Sequence, residues 1–146
     1  MANLYTMKVY PEGRGKEAYR VIEIDGNKTL DTLCETILNA FDFIHEHMYE
    51  FCMDNKMYGD NCYEYEPQDD EIPSTNIAID KIGLVKGQNF SLHYDYGDDW
   101  MFTIHVQEIR ETEKAAKPKV VKKKGFVEQY PDWDDDDDEE YWDEDE

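Results

Sequence analysis

Five residues carry most of the chemistry this sequence offers: His47 and Glu50 in one segment, and Asp95, Asp98 and Trp100 around a glycine in another. Carboxylates and imidazoles that converge can hold a divalent cation and activate a water, an arrangement suited to phosphodiester cleavage. A metal-dependent phosphodiesterase or related hydrolase is therefore one expectation, with Asp95, Asp98 or Asp99 meeting His47 and Glu50. The spacing does not bring them together by itself. His45 and His47 flank Glu46 at i, i+2, which aims the two rings apart if a helix continues, whereas a helical zinc pair uses i, i+4. His93 and His105 fall on different arms of a later hairpin. Asp54 to Gly59 opens like a calcium loop, but Lys56 stands where an oxygen ligand belongs, and Tyr65 replaces the closing glutamate. No phosphate loop, nucleophile elbow or dinucleotide fingerprint is present. No residue is assigned a catalytic role, no metal ligand set is defined and no cofactor is expected. The leading expectation is a non-enzymatic protein-interaction domain, with the hydrolase as the alternative.

The elements that position these residues are legible from periodicity. Phe90, Leu92, Tyr94 and Tyr96, then Trp100, Phe102, Ile104 and Val106, alternate on two strands, with Gly97-Asp98-Asp99 turning the chain between them. Asp and Gly tolerate the positive φ of tight turns, so this segment also reads as a structural turn without a ligand. Leu4 to Tyr10 and Tyr19 to Asp25 form an N-terminal hairpin around Pro11 to Gly15. Leu30, Leu33, Cys34, Ile37, Leu38, Phe41 and Ile44 recur at helical spacing, with Thr29 as N-cap and Asp31 in the first turn. Met48 to Met53 begins a second hairpin, residues 60 to 76 read as an exposed loop, and Ile77 to Leu84 reads as a short helix. The order ββ-α-ββ-(short helix)-ββ gives an α+β fold, a mostly antiparallel sheet of hairpins packed on one main helix. Trp100 is expected to be buried beside Leu33, Ile37 and Phe41.

A formal charge of −21 over 146 residues makes direct nucleic-acid binding unfavourable, because a duplex must be neutralised by Lys and Arg. No apolar run reaches the length of about 18 residues that suggests a membrane helix, and the N-terminus lacks a signal-peptide pattern, which points to a cytoplasmic protein and no membrane partner. Three cysteines, Cys34, Cys52 and Cys62, form no Cys-x-x-Cys pair. That composition argues for free thiols and against a disulfide framework or a structural zinc site. Cys34 lies on the apolar stripe of the helix and reads as a small core residue.

The composition changes after residue 113, where the last 33 residues carry 13 acids and 6 bases. The organisation is read as one α+β domain over 1–113, a Lys-rich connecting segment over 114–131 and a disordered acidic tail over 132–146. Lys114, Lys117, Lys119 and Lys122 to Lys124 make the basic strip. Like charges in a block repel and stay extended. Tyr130, Trp133, Tyr141 and Trp142 interrupt the acids, so the tail is expected either to solubilise or to contact a basic protein surface, with the chain's own Lys strip as competitor.

Four stretches together resemble the plasmid pRiA4b ORF-3-like family: Tyr19-Arg20-Val21-Ile22, Thr29 to Leu33 continuing through Ala40-Phe41, His47-Met48-Tyr49-Glu50-Phe51, and Tyr94-Asp95-Tyr96-Gly97-Asp98-Asp99-Trp100. The resemblance covers most of the chain. It implies a compact α+β domain without an agreed biochemical activity, in a group that also carries an insertion-element passenger label. Many relatives end in a cysteine-containing, glycine-rich stretch that Gly125 to Pro131 does not reproduce. A recombinase is disfavoured, since Ser74 and Ser91 are the only serines and neither is flanked by arginines.

Overall fold

A computed structural model describes residues 2–13, 15–45, 47–55, 59, 61–69, 71–97, 99–112 and 117–126. Asp98, Lys114 and the acidic tail over 132–146 lie outside the described residues. Among the described residues, seven strands and one α-helix follow the chain: β1 (Ala2–Pro11), β2 (Tyr19–Asp25), α1 (Leu30–Ala40), β3 (Tyr49–Cys52), β4 (Cys62–Glu64), β5 (Asn89–Tyr94), β6 (Trp100–Thr112) and β7 (Lys119–Lys124), with a 3-10 turn at Ile79–Lys81 before β5. All seven strands join one antiparallel sheet in the order β4-β3-β5-β6-β1-β2-β7.

This architecture corrects the expected α+β class with hairpins on a main helix. Strand dominates, the hairpins merge edge to edge through β3–β5 and β1–β6 pairing, and among the described residues only 11 are α-helical. Two strands account for the difference. β4 lies inside the segment read as an exposed loop, and β7 is formed by the Lys strip, pairing with β2 from Tyr19↔Lys124 to Glu23↔Lys119. Val120 and Val121 supply the β-preference that the surrounding lysines conceal.

The helix starts where the sequence dictates. Thr29 accepts from the backbone N–H of Thr32 at 3.2 Å, while Leu30 and Asp31 donate their N–H groups to the carbonyls of Ile77 and Thr75. Those bonds satisfy orphan donors of the first turn. It stops earlier than the apolar spacing suggests. Asp42 adopts φ +60, Asp42 N–H donates to Asn39 and Phe43 N–H donates to Leu38 at 2.8 Å. This is a Schellman-type ending with Asp in the position usually held by Gly. Phe43 thereby turns into the core, whereas Ile44 is left exposed.

One face of the sheet packs on the helix stripe of Leu30, Leu33, Cys34, Ile37 and Leu38, with Met7, Val9, Ile22, Ile24, Phe51, Phe90, Leu92, Phe102 and Ile104 all buried. Arg20 ties the edge of the sheet to the helix. Its Nε donates to the Ala40 carbonyl at 2.8 Å, its NH1 to Lys124 at 2.9 Å and its NH2 to Gly125 at 3.1 Å, and the guanidinium lies 4.6 Å from the Phe41 ring centroid. No helix among the described residues is long and apolar enough to cross a membrane.

Candidate functional site

Strand alternation divides the expected site residues between the two faces of the sheet. Tyr49 and Phe51 belong to the helix-side core, so Glu50 and Cys52 point to the other face. The β3–β5 register sets Glu50 opposite His93. His93 Nδ1 lies 2.8 Å from Glu50 Oε2, and its Nε2 lies 2.7 Å from Asp99 Oδ1. Glu50 and His93 are buried while Asp99 is exposed, so the three form a chain from the interior to the surface. A ring between two carboxylates meets both acceptors when each nitrogen carries a proton. Asp99, at φ +54, donates its backbone N–H to Asp95 at 2.6 Å, which closes the turn that presents it.

His47 belongs to a separate group. Its Nε2 stands 3.6 Å from Asp95 Oδ2, and its ring meets the Tyr94 ring edge-on at 5.7 Å. Tyr94 OH donates to the Ile44 carbonyl and accepts from the His47 N–H at 3.4 Å. Asp95, at φ +68, also accepts from the Gly97 N–H at 3.1 Å. The structure thus brings His47 to Asp95 and Glu50 to His93 and Asp99, in two clusters. Trp100 joins neither. It is half-buried rather than largely buried, and packs edge-on to Phe43 at 4.8 Å and parallel to Phe102 at 6.0 Å against the core that holds Leu33, Ile37 and Phe41. Among the described residues, the one trio of potential ligand atoms that lie within 4.8 Å of one another is Glu50, Cys52 and Cys62.

Cys52 and Cys62, expected as free thiols, are joined in a disulfide. The β3–β4 register places them directly opposite each other. Their ten-residue separation hid this pairing, because β4 was not legible as a strand. Cys34 remains free and buried, and its thiol is pushed well above the usual range, first by burial and then by the charges of Asp31 and Glu35.

On the helix side a cleft of about 430 Å³ opens between α1 and β3. Asp31, Cys34, Glu35 and Leu38 form its helical wall at i, i+3, i+4 and i+7, and Tyr49, Tyr65 and Tyr94 oppose them, with His45 and His47 also on its lining. Tyr49 and Tyr65 stack at 4.7 Å. Asp31 Oδ1 accepts from Tyr49 OH at 2.7 Å and from Thr75 Oγ1. Burial, followed by the hydrogen bond to Asp31, raises the Tyr49 phenol far above its ordinary value. Sequence reasoning missed His93 and this cleft, although the alternating Tyr49-Glu50-Phe51 and Leu92-His93-Tyr94 segments held the signal for both.

The plasmid pRiA4b ORF-3-like family model matches residues 3–140. The chain belongs to that family. The pRiA4b ORF-3-like match extends beyond β7, so the Lys strip falls within the family's span. A crystal structure of a protein of unknown function from Methanosarcina mazei Go1 shares 21% identity, covering 84% of this chain and 70% of that one with a TM-score of 0.68. At that identity the likeness establishes a shared fold. No curated protein matches the sequence.

Proposed function

We propose that this pRiA4b ORF-3-like protein is a non-enzymatic interaction domain that takes an extended acidic segment of a partner along β7. The supporting observation is the character of that strand. β7 ends the sheet order, so its outer edge has no neighbouring strand among the described residues. All six of its residues are exposed: Lys119, Val120, Val121 and Lys122 to Lys124, with exposed Phe126 just beyond. An open edge offers backbone donors and acceptors to an added strand, the adjacent valines Val120 and Val121 give apolar contact on either face, and lysines select acidic side chains. Lysines also protect edges from indiscriminate pairing, which makes charge the natural filter here. Twelve acids in residues 132–146 are the chain's own competitor for the same lysines, so the tail acts as the adjustable element.

The hydrolase reading has less support, because among the described residues His47, Asp95, Glu50, His93 and Asp99 supply no trio of ligand atoms within 4.8 Å of one another. A cytoplasmic setting belongs to the interaction reading, and Cys52–Cys62 is where it can fail, since persistent disulfides belong mostly to oxidising compartments. Thiol trapping in intact cells followed by mass spectrometry reports that state. For the interaction itself, fluorescence anisotropy with a labelled acidic β-forming peptide is the direct test. Binding that weakens with salt and is lost in Lys122→Glu/Lys124→Glu supports the reading; binding unaffected by either change overturns it.

A further inference from the structure

We propose that the cleft between α1 and β3 is a binding site for a small organic cation, a primary ammonium carried on a flat apolar body. The cleft volume of about 430 Å³ falls in the range of roughly 300 to 1,000 Å³ common for small-molecule sites. Its lining contains two carboxylates, Asp31 and Glu35, and no Lys or Arg. Both hydrogen bonds to Asp31 land on Oδ1, so Oδ2 keeps its capacity to accept from an ammonium. Glu35 is exposed and makes no ion pair among the described residues. Anion binding is disfavoured by that sign of charge, and the Cys34 thiol, pushed up first by burial, is raised further by the same two carboxylates.

The opposite wall fits the rest of such a ligand. Tyr49 and Tyr65 stack at 4.7 Å, with Tyr65 the half-buried ring that reaches the surface, while Tyr94, 6.4 Å from Tyr49, is fully buried and backs the wall. Aromatic faces attract cations through their quadrupole and accept flat apolar groups by stacking. His47 at the cleft is held by Asp95, at 3.6 Å. It thereby adds a polar contact to the cleft lining. The site is distinct from β7, and its occupancy does not depend on the interaction reading.

The test is a titration of the full chain with three isosteric probes: phenethylamine, 2-phenylethanol and phenylacetate, followed by calorimetry and by backbone amide shifts. The ammonium is expected to bind best, the alcohol more weakly and the carboxylate least, with shifts centred on 31–38 and 47–49. Glu35→Gln, at an exposed position that leaves folding intact, should weaken the ammonium about fivefold and leave the alcohol unchanged, the scale of one partly screened charge pair. Tyr65→Leu should weaken the ammonium and the alcohol together. No binding, equal binding of phenylacetate, or shifts located away from the cleft would overturn the proposal.

Discussion

Glu50 and His93 face each other across β3 and β5, buried, with 2.8 Å between carboxylate and imidazole. Both side chains are buried, and Asp99 completes the chain to the surface. Removing one partner of a buried hydrogen bond costs about 1 to 3 kcal/mol because the other group is left unsatisfied. His93→Ala and Glu50→Ala should each lower stability on that scale in urea unfolding. The double variant Glu50→Leu/His93→Phe should cost less than the sum of the two single changes. Strict additivity would show that the pair is not coupled.

Arg20 links three elements through one guanidinium, donating to Ala40, Tyr19, Lys124 and Gly125. Lysine cannot reproduce that planar fork. Arg20→Lys should therefore destabilise by about 1.5 to 3 kcal/mol, as expected when partly buried carbonyls lose a charged donor. Amide hydrogen exchange should speed up first in β7, since two of the lost bonds hold its end. Unchanged protection of 119–124 would contradict the linkage.

The Cys52–Cys62 bridge closes a loop of ten-residue separation. Crosslinks over loops of this size contribute about 2 to 4 kcal/mol, largely by restricting the unfolded chain. Reduction, or the double change to serine, should lower the thermal midpoint while leaving the strand content of the folded protein in place. An identical midpoint with and without reductant would argue that the bridge adds nothing to stability.

Alkaline pH should destabilise the fold through two phenols. Tyr5 and Tyr49 have pKa values raised above the ordinary 10, in both cases first by burial and then by a hydrogen bond to a carboxylate, Asp80 and Asp31 respectively. Below pH 10 both are neutral in the folded and unfolded chain, so they make no pH dependence there. Above it the unfolded chain loses the protons while the folded chain retains them, and stability falls as pH rises. Tyr49→Phe and Tyr5→Phe should each flatten that decline in urea titrations at pH 9 to 11.

How much of this was legible differs from element to element for physical reasons. The helix was readable because its stripe and the Thr29 cap are local signals, and the β5–β6 hairpin because alternation and a Gly-Asp turn are local too. β4 was not, being three residues among prolines and acids, nor was β7, whose two valines sit inside a charge block. The site depends on register between strands far apart in sequence: Glu50 meets His93 because Phe51 pairs with Leu92. Periodicity could assign each residue a face but could not say which strand lay beside it. Hence Glu50 and His93 converge, while His47, just before β3, lines the helix-side cleft and meets Asp95 instead.

The interaction reading makes its sharpest prediction at Gly125, immediately after β7. This residue adopts φ +75, and a Cβ there would lie 2.0 Å from the Glu17 carbonyl oxygen. Backbone cannot yield to such a contact as a flexible side chain can, and an L-residue is strained at that φ in any case. Gly125→Ala should thus displace the end of β7 from β2 while leaving the Lys charges untouched. If the paired geometry of β7 presents the binding edge, the acidic peptide should bind this variant at least about tenfold more weakly, a loss of about 1.4 kcal/mol. If the lysines act only as a diffuse charge, affinity and its salt dependence should match those of the parent chain. Deleting 132–146 should act in the opposite direction, removing competing acids and strengthening peptide binding most at low salt, where screening is weakest. A deletion that leaves affinity unchanged at every salt concentration would remove the tail from this role, and a Gly125→Ala variant with full affinity would remove the strand edge.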